Sequence, residues 1–293
     1  MIVVFGSINV DLMFPVPHLP RRGETVLGGD YTLLPGGKGA NQALASRRAG
    51  AEVVLIGAVG TDSFAAPALD PLRRAGIDLR LVRTVAEPTG CAAIMVSAAG
   101  ENAIAVASGA NASVRSDQVP DELLAPGTLL VVQMEVPASE TMAVIRRVRD
   151  RGGRSLLNFA PALPISLDLL HEIDFVVANE GEAAALGLDP ASIAIRLQRG
   201  LVVTRGAAGA MAYPAEGAVF ALPALPIVPV DTTGAGDTFV GVLAAALDGN
   251  APLETALRRA SAAAGLACLA RGAQTAMPDA AAIDAATARL LRL

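Results

Sequence analysis

Between residues 231 and 239 the chain reads Asp-Thr-Thr-Gly-Ala-Gly-Asp-Thr-Phe, which sets glycines, hydroxyls and two carboxylates directly ahead of a long apolar helical pattern. Backbone N–H groups of Gly234, Ala235 and Gly236 can converge there on one anion, because glycine has no Cβ and tolerates the φ angles such a nest requires. A helix over Val240 to Leu247 adds the positive end of its dipole at the same point. Asp237 then stands beside bound phosphate, an unfavourable place for a carboxylate unless it takes a proton from an attacking hydroxyl. This spacing points to phosphoryl transfer. The same residues would equally make a strand-to-helix turn in which Asp237 only caps the helix.

A second run, Gly36-Gly37-Lys38-Gly39-Ala40-Asn41-Gln42, again places glycines before a helical pattern, and Lys38 is the only lysine among the 23 Lys and Arg residues. A chain that uses arginine everywhere else gains a compact, flexible point charge here in place of a planar fork. Compositional chance is the other account of it.

The elements that must position these runs alternate. Short β-branched runs are predicted as strands at Ile2 to Phe5, Glu52 to Ile56, Thr128 to Val132, Ser155 to Asn158, Phe175 to Ala178 and Leu201 to Thr204. Helices fall between them, the clearest over Gly39 to Arg48, Phe64 to Arg74, Ala138 to Arg151 and Leu253 to Leu269, the first three closed by a following glycine. That rhythm predicts an α/β fold: a doubly wound, mostly parallel central sheet with helices on both faces. Two segments break it. Asp11 to Leu34 is rich in Pro and Gly, and within Thr89 to Ala107 the runs Cys91 to Ser97 and Asn102 to Ala107 look like paired strands. We expect one domain over residues 1–293, with a small β lid inserted at about residues 11–35 and 89–107 above the ligand crevice.

Composition narrows the partners. Hydrophobic residues make up 53% and charged residues 17%, which fits a compact globular chain, and the net charge is −5. No basic cluster exceeds a pair, so neither nucleic acid nor a membrane surface is an expected partner. Met1 to Phe5 lacks a basic flank and meets Gly6 too soon for a signal peptide, so it reads as a buried strand. No apolar run approaches the length that spans a bilayer. Cys91 and Cys268 are the only cysteines, which suits a reducing cytoplasm and gives no metal cluster.

Six segments taken in order resemble the ribokinase-type sugar kinases over nearly the whole chain. They are Gly6-Ser7-Ile8-Asn9-Val10-Asp11, the Gly36 to Gln42 run, Gly100-Glu101-Asn102 with Gly109-Ala110-Asn111, Asn179-Glu180-Gly181-Glu182, Asp231 to Phe239, and Gly272-Ala273-Gln274. The Gly-Ala-Gly-Asp signature is shared by the wider family, including fructokinases, adenosine kinases and phosphosugar kinases. The first three segments are narrower and resemble its ribokinase branch. The resemblance implies transfer of phosphate from ATP to the primary hydroxyl of a small sugar, with ribose foremost.

By that resemblance Asp237 is the base, Gly234, Ala235 and Gly236 form the anion hole, and Lys38 lies near the transferred phosphate. Asn9, Asp11, Gly37, Lys38, Asn41, Glu135 and Asp237 would contact the sugar. Asn179, Thr204, Gly206, Gly209 and Gly236 would meet the nucleotide, and Glu182 would organise Mg2+ through water, as that ion's preference for few carboxylates allows. Asn179 at an N-cap with Glu182 three residues on also reads as a capping box, and both roles can hold together. Glu135 alone reads equally as a first-turn glutamate on a helix dipole. Asp231, the Thr233 carbonyl and carbonyls around Ala267, Ala270 and Gly272 correspond to a K+ site. Ala270 and Ala276 stand where the family pattern often has Arg and Ser, so a side-chain contribution at position 276 is lost. A homodimer through the lid is expected.

Other acceptors remain open: fructose, a deoxysugar or a nucleoside. Aromatic residues at 3% and the absence of tryptophan disfavour stacking a nucleobase. Arg21 and Arg22 are the only obvious lid arginines, which disfavours a phosphosugar. A sugar or nucleotide sensor on the same fold is the reading from another class. Joint retention of Lys38, Asn179, Glu182 and Asp237 argues against it.

Overall fold

The computed structural model describes residues 1–290. Continuous apolar runs become strands buried on both faces: β1 (Ile2–Phe5) and β8 (Leu129–Val132) expose nothing. They lie side by side in parallel at the middle of a nine-stranded sheet ordered β13-β12-β11-β10-β9-β8-β1-β4-β5. The others are β4 (Val53–Val59), β5 (Val82–Thr84), β9 (Arg154–Asn158), β10 (Phe175–Asn179), β11 (Gly200–Thr204), β12 (Ala210–Pro214) and β13 (Phe220–Leu222). Only β12 is reversed, pairing antiparallel with both β11 and β13.

Alternation along β1 divides the core. Ile2 and Val4 join the cluster holding α1 (Lys38–Arg48), α2 (Ala65–Arg74), α6 (Ala235–Asp248) and α7 (Leu253–Ala267), while Val3 and Phe5 join that of α3 (Ala138–Asp150), α4 (Glu180–Ala185) and α5 (Pro190–Ala194). Helices therefore cover both faces. Two further helices, α8 (Ala273–Ala276) and α9 (Ala280–Leu290), follow α7. No helix among the described residues is long and apolar enough to cross a membrane.

A separate four-stranded sheet, ordered β3-β2-β6-β7, is built from β2 (Asn9–Val16), β3 (Thr32–Gly36), β6 (Gly90–Ser97) and β7 (Asn102–Ala107). It emerges where β1 and β4 end, so the two segments that break the α/β rhythm pair with each other. The chain leaves β8 through β9, β10 and β11 on one side and has β1, β4 and β5 on the other. The order reverses at the β1/β8 boundary, and the crevice at such a switch point is where ligands of open α/β sheets bind.

Some boundaries differ from expectation. α6 starts at Ala235 rather than Val240, because Gly234 takes the left-handed conformation (φ 74°) and is itself the N-cap, so the glycine run belongs to the helix start. The β12–β13 hairpin and the helices α5, α8 and α9 go beyond the expected elements, their small-residue sequences carrying little periodicity, whereas α4 starts at the capping box read at Asn179 and Glu182.

Candidate active site

Both glycine runs open helices, and the structure separates their roles. At α1, Gly37 (φ 88°) brings the chain against the β1–β2 turn. The helix's first donors are then all taken: Lys38 N–H by Glu135 Oε2 (3.0 Å), Gly39 N–H by Ser7 Oγ (3.2 Å) and Ala40 N–H by the Ser7 carbonyl (2.9 Å). Ser7 Oγ in turn donates to Glu135 Oε2 at 2.5 Å. This N-terminus is closed.

At α6 the Ala235 N–H donates to the Thr232 carbonyl (3.2 Å), but no protein acceptor meets the N–H groups of Gly234, Gly236 and Asp237 among the described residues. Free donors at the positive end of a 14-residue helix make an anion site. Of the two glycine-led helices only α6 has an open N-terminus among the described residues; of the expected donors Gly234, Ala235 and Gly236, the Ala235 N–H already has the Thr232 carbonyl.

Four carboxylates face Lys38. Its ammonium is held above the ordinary lysine range chiefly by the charge of Asp237, against burial, with Glu135, Glu182 and Asp11 adding to it. Asp11, on β2, is pushed up to about 7, first by burial, then by Glu135 and Asp237, with Lys38 opposing. Asp237 is 7% exposed; Asn41 Nδ2 donates to its Oδ2 and Gln42 Nε2 to its Oδ1, each at 2.9 Å. Asn41 thus meets Asp237 directly. Asn9 is buried, and its Oδ1 accepts from Asn111 Nδ2 (2.7 Å) while Asn111 Oδ1 accepts from the Ile8 N–H (2.9 Å). That pairing leaves the Asn9 amide N–H groups for a ligand oxygen.

On the other side of the α6 start lies an apolar cleft of about 410 Å3 lined by Thr204, Gly206, Gly209, Gly236, Phe239 and Leu225 among others, within the size range of small-ligand sites. Asn179 and Glu182 close a reciprocal capping box, each N–H to the other's side-chain oxygen at 2.8 Å, which leaves one Glu182 oxygen free. Asp231 Oδ1 accepts from the Thr233 N–H (2.9 Å) and hydroxyl (2.7 Å), and its Oδ2 from the Gly272 N–H (2.8 Å). Partial burial raises its pKa, but these bonds and Arg271 outweigh that and hold it below the ordinary value. The Cys268 carbonyl, between Ala267 and Ala270, accepts from the Val230 and Asp231 N–H groups, which joins this loop to the α6 approach. No group of three His, Cys, Asp or Glu residues able to hold a metal occurs among the described residues.

Ser7, Gln42 and Asn111 have no role that their sequence positions alone reveal. Each lies inside a quoted motif, but each acts on another protein group, and only the fold pairs residues as distant as Ser7 and Glu135.

The open α6 N-terminus thus has one lysine ringed by carboxylates on one side and an apolar cleft on the other, a layout suited to moving a phosphoryl group between two ligands. Residues 1–280 match the family described as pfkB family carbohydrate kinase, and the chain belongs to that family. It is similar to the ribokinase of Bacillus subtilis (strain 168), 35% identical over 289 residues, covering 94% of this chain and 96% of that one. It is 32% identical over 293 residues to the deoxyribokinase of Salmonella typhi, covering 95% of each. Among solved structures it superposes on Arabidopsis thaliana ribokinase complexed with ribose and ATP with a TM-score of 0.89 at 30% identity, covering 98% of both chains.

Proposed function

We propose that this sugar kinase transfers the γ-phosphoryl group of ATP to the primary hydroxyl of D-ribose, giving ribose 5-phosphate and ADP, with Asp237 as the base. The observation that carries this is the placement of buried Asp237 between the open α6 N-terminus and Lys38. The sugar lies on Asn9, Asp11, Gly37, Asn41 and Glu135; the nucleotide lies along the apolar cleft past Thr204, Gly206 and Gly209. The hydroxyl oxygen attacks the γ-phosphorus, its proton passes to Asp237, and the bond to the bridging oxygen of ADP breaks. Free N–H groups at α6 and the Lys38 charge stabilise the charge that spreads over the phosphoryl oxygens.

Mg2+ would neutralise the phosphates, held by them and by water with the free Glu182 oxygen, a donor set that suits this ion. For K+, Asp231 and the carbonyls of Thr233, Ala267, Ala270 and Gly272 are the donors to consider; Asp231 Oδ2 accepts one hydrogen bond, from the Gly272 N–H, and keeps a lone pair. The four-stranded sheet serves as a lid that excludes water when sugar is bound. Its edge strand β7 exposes Ile104 (56%) and Val106 (55%), and pairing lid to lid in a homodimer would cover them. We place the reaction in the cytoplasm, where the two unpaired cysteines stay reduced.

A deoxysugar acceptor is the second reading, favoured by the Salmonella typhi relative. ADP release from ATP and Mg2+ with ribose, deoxyribose, fructose or adenosine, each in K+ and in Na+, separates them. Ribose is expected to give the highest kcat/KM. Higher turnover on another acceptor would overturn the ribose assignment, and equal rates in both salts would remove the K+ site.

A further inference from the structure

Asp237 ends two buried chains of amides. In one, Gln133 Nε2 donates to Gln42 Oε1 (2.7 Å) and Gln42 Nε2 donates to Asp237 Oδ1 (2.9 Å). In the other, Gln274 Nε2 donates to Asn41 Oδ1 (3.1 Å) and Asn41 Nδ2 donates to Asp237 Oδ2 (2.9 Å). Gln42 and Gln133 are fully buried and Gln274 is 2% exposed. They come from three places in the fold: Gln42 and Asn41 from α1, Gln133 from the residue after β8, Gln274 from α8.

The outer ends are unpaired. Among the described residues, Gln133 Oε1 and Gln274 Oε1 are buried and meet no hydrogen-bond donor. Leaving a buried amide oxygen unmet is unfavourable, and an apolar side chain at either position would pass that deficit on to the buried Gln42 or Asn41 oxygen. Gln133 Oε1 lies where a Cβ on Gly6 would overlap it, so the glycine after β1 makes the room this amide occupies. Two strained ends on one carboxylate call for an account other than packing.

A primary amide can turn either its N–H or its oxygen toward a neighbour. An ionised carboxylate accepts only N–H; a protonated one would also donate to an amide oxygen. Here Gln133 occupies the Gln42 oxygen and Gln274 occupies the Asn41 oxygen, so neither inner amide can present oxygen to Asp237. We infer that Gln133 and Gln274 are positioning residues that lock Gln42 and Asn41 with their N–H groups toward Asp237, holding it as the anion and fixing its plane for proton transfer. This rests on the reading of Asp237 as the base. Other charges facing Asp237 are Lys38 from α1 and Asp11 from β2, with Glu135 from the β8–α3 turn and Glu182 from α4 facing Lys38.

The test is the pH dependence of kcat at saturating sugar and ATP for Gln133→Met and, independently, Gln274→Met. Saturating sugar removes the contribution of Asp11 to binding. With an oxygen released to face Asp237, the acid limb of kcat should move up by about one pH unit, a tenfold loss on that limb. The rate should recover toward the parent's on the alkaline side, with both KM values within about twofold. A purely structural role would lower kcat by the same factor at every pH, and that result, or an unmoved limb in both variants, overturns the relay. Either variant alone decides the question if the other does not fold. Asp237→Asn, assayed alongside, separates the two readings: if it keeps turnover the base assignment fails, and if it is inactive while both limbs stay in place only the relay fails.

Discussion

Asp11 shows how one residue's surroundings set its chemistry. Burial and two neighbouring carboxylates bring its pKa from 3.8 to about 7 despite Lys38. The folded chain therefore keeps a proton there that the unfolded chain releases, so this group's contribution to stability is present below about pH 4 and is lost as pH rises through 7. With the sugar on Asp11 as proposed, binding carries the opposite sign, because an ionised carboxylate accepts hydrogen bonds from hydroxyls more strongly than a protonated one. We predict that kcat/KM for the sugar rises as pH passes through about 7 and that Asp11→Asn removes this step; a variant with the parent's pH profile would refute it. Much at this scale was legible in the sequence. Lys38 stood out as the only lysine, and Asp237 by its place after Gly-Ala-Gly. The surroundings of Asp237 were not, because Gln42, Gln133 and Gln274 reach it or its partners only once folding brings them near.

At the scale of elements, the two glycine-led helices look alike in sequence and differ in what meets their first N–H groups. Ser7 and Glu135 close α1 by accepting from its first N–H groups. Ser7→Ala should cost about 1 kcal/mol, the usual effect of losing an N-terminal cap, and should raise KM for the sugar more than KM for ATP by loosening Glu135. Denaturant titration and steady-state kinetics measure both, and an unchanged midpoint would contradict the capping role. The parallel strands and long helices were legible because β-branched runs and glycine stops mark them. The start of α6 was placed five residues late because Gly-Ala-Gly reads as loop, although Gly234 is its N-cap.

For the whole molecule, the sheet order gives the site its location: the chain turns back at β1/β8, and the four-stranded sheet stands beside that point. The break in the α/β rhythm foretold this sheet, whereas its association could only be argued from open edges. We predict a homodimer by sedimentation, weakened at least tenfold by joint Ile104→Lys and Val106→Lys substitution; a monomeric parent would refute it. The central claim is that Asp237 takes the acceptor's proton. ATP-dependent phosphorylation of ribose by the parent and Asp237→Asn, with the ATP-induced rise in melting temperature recorded for both, tests it most directly. The account predicts turnover reduced by roughly 1000-fold or more in the variant with the melting shift retained. Turnover within tenfold of the parent would contradict it.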